Sequence, residues 1–89
     1  MGQVVRVYGY RSCKFCETLL RELEERKVPY EYVDIFKRGQ PLWAGVFPAV
    51  EVCSYREQGY DETLADRLAK LSRMTCEEID MLTRKRALP

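Results

Sequence analysis

Apolar and polar side chains alternate from Val4 to Tyr8, and β-branched and aromatic types dominate the run, which predicts a first strand. Gly9, Arg11 and Ser12 read as a short loop, with Ser12 placed to cap the helix that follows. From Glu17 to Lys27 helix formers dominate, and Phe15, Leu19, Leu20 and Leu23 recur at helical spacing to make one apolar face. Lys27 closes this helix, and Pro29 prevents its continuation because proline has no N–H to donate. Tyr30 to Phe36 predicts a second strand, so the first third of the chain reads as a βαβ unit with a right-handed crossover.

Residues 37–47 hold two glycines and a proline and do not read as a full helix. Pro48 to Cys53 predicts a third strand that opens on proline, the one strand position where proline is well tolerated. Ser54 and Tyr55 suggest a tight turn, and Arg56 to Gln58 a short edge strand. A helix from Asp61 to Leu71 places Leu64, Leu68 and Leu71 on one face. A last helix starts at Thr75, where Glu78 completes a capping box. Its acidic residues Glu77, Glu78 and Asp80 come first and its basic residues Arg84, Lys85 and Arg86 last, which complements the helix dipole. No repeat or low-complexity segment interrupts the pattern. The expected architecture is α/β, a single domain over residues 1–89 with about four strands and an added C-terminal helix over 75–89.

Charge narrows the function. Fifteen Lys and Arg stand against 14 Asp and Glu, a formal net charge of +1, and phosphate backbones attract clustered positive charge rather than this balance. No stretch nears the roughly 20 consecutive apolar residues that span a bilayer. Residues 1–6 carry neither the apolar core of a secretory leader nor a myristoylation motif. The expectation is a small cytosolic monomer that binds neither nucleic acid nor membrane.

The four cysteines, Cys13, Cys16, Cys53 and Cys76, are unevenly spaced. A zinc site wants two close pairs, or one close pair with histidines, and the chain has no histidine at all. Ser-His and Cys-His catalysis are excluded for the same reason. In a cytosolic protein structural thiols stay reduced, so Cys53 is expected as core filler and Cys76 as a passive thiol in a helix's first turn. The pair Cys13-Lys14-Phe15-Cys16 is different, because it falls where the first strand hands over to the first helix. Unpaired N–H groups and the positive dipole end favour an anion at Cys13, and Arg11 and Lys14 add positive charge beside it. Cys16 lies one helical turn on and deeper. Thiol–disulfide chemistry then assigns Cys13 as nucleophile and Cys16 as the thiol that resolves the mixed disulfide.

The stretch VVRVYGYRSCKFCETLLRELEERKVPYEYVDI resembles the first half of a glutaredoxin or a glutaredoxin-like redoxin. Val46-Phe47-Pro48 stands where that family has a segment ending in cis proline, and Gly59-Tyr60-Asp61 where it has a glycine, an aromatic or cysteine, and a polar residue. The resemblance covers residues 4 to about 71. It implies a thioredoxin-like fold with a four-stranded mixed sheet, and a disulfide reductase with no bound cofactor. Glutathione would be the reductant and a protein disulfide, such as that of ribonucleotide reductase, the target. It further implies that Pro48 is cis and faces the cysteine pair, and that the Phe47 backbone pairs with an extended substrate. Gly59, Tyr60 and Asp61 would then hold the γ-glutamyl end of glutathione, with Arg11, Lys14 and Phe15 flanking the site.

Three departures accompany the resemblance. Lys14-Phe15 replaces the family's Pro-Tyr between the cysteines, Gln58-Gly59 replaces a Gly-Gly pair, and the short 37–47 segment cuts down the family's second helix, where Lys37, Arg38 or Gln40 would have to replace lost contacts. Tyr10 is expected to border the site, and Trp43 either covers the groove or packs under its loop. Three other readings stay open: a redoxin served by thioredoxin reductase, a non-catalytic redox adaptor, and a metal-binding protein.

Overall fold

A computed structural model describes residues 2–87, with side chains through Lys85. Met1, Leu88 and Pro89, counted above within the domain, and the side chain of Arg86 lie outside the described residues. The elements run β1 (Val5–Gly9), α1 (Lys14–Glu25), β2 (Tyr30–Asp34), α2 (Ile35–Arg38), β3 (Ala49–Val52), β4 (Tyr55–Gln58), α3 (Leu64–Ser72) and α4 (Cys76–Ala87). They build an α/β structure whose four strands lie in the order β2-β1-β3-β4. β1 is parallel to β2 and antiparallel to β3, and β3 is antiparallel to β4, so the sheet is mixed and open. No helix among the described residues is long and apolar enough to cross a membrane.

Strand alternation divides the sheet into two unlike faces. Val5, Val7, Val50 and Val52 are fully buried against Leu19 and Leu23 of α1, Leu64 and Leu68 of α3, and Ile79 of α4. Each such leucine contributes roughly 1.5–3 kcal/mol by leaving water. Arg6, Tyr8, Glu51 and Arg56 point the other way and form a charged lattice: Arg6 pairs with Glu31 and Glu51, and Arg56 with Glu51. α2 is a single turn, so this second face keeps a cleft of about 450 Å³ among Arg6, Tyr8, Glu31, Val33 and residues 38–41.

Several boundaries differ from the sequence reading, each for a local reason. Cys13, not Ser12, caps α1, because the Cys13 sulfur accepts the Cys16 N–H and occupies the acceptor position that Ser12 was expected to supply. Phe15 is exposed rather than part of the apolar face; Cys16, Leu19 and Leu23 form the buried stripe, with Leu20 at its margin. β2 stops at Asp34 instead of Phe36, since the Asp34 carboxylate accepts the Phe36 N–H at 2.9 Å and turns the chain into α2. β3 begins at Ala49, after a cis Phe47–Pro48 bond. It ends at Val52, because Val52 pairs with Tyr55 and leaves Cys53 and Ser54 as the hairpin turn. Asp61 caps a turn through the Thr63 N–H, and α3 proper starts three residues later.

α4 docks on that hairpin. Its capping box forms as expected, with Thr75 N–H to Glu78 at 3.0 Å and Glu78 N–H to Thr75 Oγ1 at 3.1 Å. Ile79 is fully buried, and the Ser54 hydroxyl reaches Asp80 and Thr83. Cys53 and Cys76 are joined by a disulfide with their Cα atoms 5.6 Å apart. This corrects the expectation of a filler and a passive thiol: the β3–β4 turn delivers Cys53 to the first residue of α4, a meeting that linear spacing does not encode.

Candidate active site

β1 ends on Gly9, and the absence of a side chain there makes room for the chemistry. A Cβ on Gly9 would lie 2.6 Å from the Cys16 sulfur and 3.2 Å from its Cβ. The chain then turns through Tyr10–Ser12, held by the Cys13 N–H donating to the Tyr10 carbonyl at 3.1 Å, and enters α1. Cys13 and Cys16 are both free thiols. Cys13 is the more open of the two, at 5% exposure against 1% for Cys16. The Cys16 N–H points at the Cys13 sulfur from 3.2 Å, so a backbone donor of the helix's first turn serves negative charge on that atom. Burial, followed by the hydrogen bond and charge of Cys13, pushes the Cys16 thiol up to about 12. The pair is therefore asymmetric: the Cys13 sulfur accepts a backbone N–H of the helix end, and the more deeply buried Cys16 thiol keeps its proton.

Two aromatic clusters adjoin this junction. The Tyr10 ring meets Phe36 and Phe47 edge-on, with centroids 5.8 and 6.1 Å apart. Phe47 leads into the cis bond to Pro48, whose carbonyl accepts the Gly59 N–H at 2.9 Å. Gly59 has φ +87, a conformation open to glycine and strained for other residues. Next to it, Tyr60 stacks on Phe15 at 5.3 Å with the rings 15° apart, and its hydroxyl donates to Glu22 at 2.8 Å. Contacts thus run from the Cys13 turn through Tyr10 to Phe47 and Pro48, and from α1 through Phe15 to Tyr60 and Gly59.

Other expected residues are placed as follows. Arg11 and Lys14 are exposed and make no ion pair among the described residues. The Asp61 carboxylate is engaged by Arg67 at 2.8 Å and by the Thr63 N–H and hydroxyl at 2.8 and 2.7 Å, while Arg67 also pairs with Glu57. Arg67, then Thr63, hold Asp61 well below the usual carboxylate range. Trp43 packs on the charged face of the sheet, edge-on to Tyr8 at 5.7 Å and under the Arg56 guanidinium at 5.4 Å, rather than over the cysteines.

Two residues acquire positions that sequence reasoning did not assign. The sequence pattern puts Gly9 in the loop, whereas it closes β1, and a glycine closing a strand just before a Cys pair signals a close approach. Gln58, which departs from the family's glycine pair, has a structural task of its own. Its side-chain carbonyl accepts the Gly45 and Val46 N–H groups at 2.7 and 3.0 Å and so fixes the segment entering Phe47–Pro48. Among the described residues no group of three or more His, Cys, Asp or Glu is placed to hold a metal ion. Neither a family model, nor a curated protein, nor a solved structure matches this chain.

Proposed function

We propose that the chain is a thiol–disulfide oxidoreductase of the glutaredoxin type on a thioredoxin-like fold. The carrying observation is the Cys13 sulfur, capping α1 and accepting the Cys16 N–H, beside a Cys16 thiol that retains its proton. In this reading the Cys13 thiolate attacks one sulfur of a substrate disulfide, the substrate S–S bond breaks, and the displaced thiolate takes a proton. Once Cys13 is in the mixed disulfide, its charge and hydrogen bond no longer raise the Cys16 thiol, and burial with the nearby Glu17 charge is what still opposes ionisation. Cys16 then gives up its proton and attacks the Cys13 sulfur, which closes the Cys13–Cys16 disulfide and releases the reduced substrate. Two thiols of an external reductant, glutathione by resemblance, restore the pair. The Phe47–Pro48 segment and Gly59–Tyr60 are the substrate platform, and a protein such as ribonucleotide reductase, which must form a disulfide each turnover, is a fitting target.

A second reading is favoured by a specific contact. Asp61, assigned to the γ-glutamyl end of glutathione, is already committed to Arg67, and α2 is cut to one turn. Both features favour protein disulfides as substrates and a thioredoxin-reductase-type electron source. The deciding experiment supplies a glutathione mixed disulfide with glutathione, glutathione reductase and NADPH, and in a second system a protein disulfide with thioredoxin reductase and NADPH. NADPH loss in the first system supports the glutaredoxin reading, and loss only in the second supports the other. Loss in neither, or loss undiminished in Cys13→Ser, overturns the assignment. Cys16→Ser is expected to accumulate a mixed disulfide with a protein substrate, visible as a mass adduct.

A further inference from the structure

The Cys53–Cys76 disulfide lies outside the site just described, and three observations there point in one direction. Cys53 occupies a two-residue hairpin turn with φ +53, a conformation that favours glycine or asparagine over cysteine. The backbone therefore gives no reason for this residue, whereas its sulfur does. Cys76 is exposed at the first residue of α4, while Cys53 is half-buried, so the bond has an open end. Finally, α4 has little else to hold it. Ile79 is its one buried side chain among the described residues, Met81 and Leu82 are exposed, and Ser54 supplies hydroxyl contacts to Asp80 and Thr83. The Thr75–Glu78 capping box is internal to the helix and does not tie it to the sheet.

We propose that Cys53–Cys76 is a second thiol–disulfide exchange site, reducible by an external dithiol, and that its redox state decides whether α4 stays docked. One thiolate of the dithiol attacks the exposed Cys76 sulfur. The Cys53–Cys76 bond breaks, and Cys53 leaves as a thiolate and takes a proton. The dithiol's second thiol loses its proton and attacks the mixed disulfide, releasing Cys76, which is protonated in turn. The reductant ends as a disulfide, and the protein gains two electrons and two protons. A three-turn helix with one buried apolar residue is marginal without its covalent tie, so reduction frees α4 and uncovers Ile79. Reoxidation needs the docked geometry, whose 5.6 Å Cα separation suits a disulfide. The inference does not depend on the role of Cys13 and Cys16.

Amide hydrogen exchange on the full chain, before and after excess dithiothreitol, tests it alongside thiol alkylation. Alkylation in denaturant is expected at Cys13 and Cys16 alone before reduction and at all four cysteines after it. Amides of residues 77–87 are expected to exchange at least about tenfold faster in the reduced protein, with β1 and β3 unchanged. Cys53→Gly, which relieves the turn while removing the sulfur, should show the same fast exchange without any reductant. Unchanged exchange in 77–87 after complete reduction overturns the proposal. So does a disulfide that resists excess dithiol, or an acceleration spread over the whole sheet, which would make the bond a global staple.

Discussion

Cys13 and Cys16 are neighbours because a helix begins at Lys14; Cys53 and Cys76 are neighbours because a hairpin, α3 and α4 have all folded. The first pair depends on one turn of backbone and on the space above Gly9. The second closes 23 residues of chain and depends on the docking of α4. A local pair keeps its geometry while the rest of the domain loosens, which suits atoms that must exchange partners repeatedly. A long-range pair reports on tertiary structure and changes it when broken. The same chemical group thus does different physical work at the two places.

The strongest test of that division is to delete one sulfur from each pair. Cys13→Ser is expected to lower NADPH-coupled disulfide turnover by roughly 10⁶-fold, the scale seen when a nucleophile is removed. Cys76→Ser should keep turnover within about twofold, because among the described residues no hydrogen bond, ion pair or ring contact of α4 reaches the Cys13 turn or its aromatic neighbours. A large loss in Cys76→Ser would mean that the two pairs act together. Next in size, Ile79→Ala should destabilise the fold by about 2–5 kcal/mol in denaturant titration, since it empties a fully buried site. The loss should be smaller under reducing conditions, where α4 is undocked and Ile79 already meets water; an equal loss in both states would show that the disulfide adds nothing to docking.

Gly9→Ala presses on the other pair. The added Cβ would meet the Cys16 sulfur at 2.6 Å, and overpacking of this kind costs about 1–3 kcal/mol. Displacing Cys16 should also slow resolution, so the mixed disulfide with a protein substrate should live longer than in the wild type while Cys53–Cys76 still forms. Wild-type stability and resolution in this variant would show that Gly9 does not set the position of Cys16.

The order of elements was legible because hydrophobic periodicity is a local property: the valines of β1 and β3 and the leucines of α1 and α3 face the core as their spacing predicts. So was the placement of Cys13 and Cys16, which needs only a strand followed by a helix. The cis state of Phe47–Pro48 agrees with what the glutaredoxin resemblance implied, but no periodicity in the chain encodes it. What escaped is what depends on several elements at once. Phe15 keeps helical spacing with Leu19 yet lies outside the buried arc and stacks on Tyr60 instead. Asp61 pairs with Arg67 one turn into α3, a contact that the spacing of the two residues does not announce. Cys53 meets Cys76 only after the chain has closed.

The smallest effect separates the two regions by pH. Asp61 at the site end is held below the usual carboxylate range by Arg67 first and Thr63 next; Glu78 at the α4 end is held low by the Thr75 N–H, then its hydroxyl. A carboxylate whose folded value lies below its unfolded one stabilises the fold above the unfolded value, about pH 4, and loses that contribution as pH falls through the folded one. The melting temperature should therefore fall below about pH 4, and less steeply in Asp61→Asn and in Glu78→Gln than in the wild type. Both groups are exposed, so each difference should be small. Salt distinguishes them: roughly 0.5 M sodium chloride should erase more of the Asp61 difference, which rests on an ion pair, than of the Glu78 difference, which rests on a backbone N–H. Identical acid slopes in all three proteins would show that neither carboxylate is held in the folded state, and would remove the capping box from the forces that keep α4 intact when its disulfide is cut.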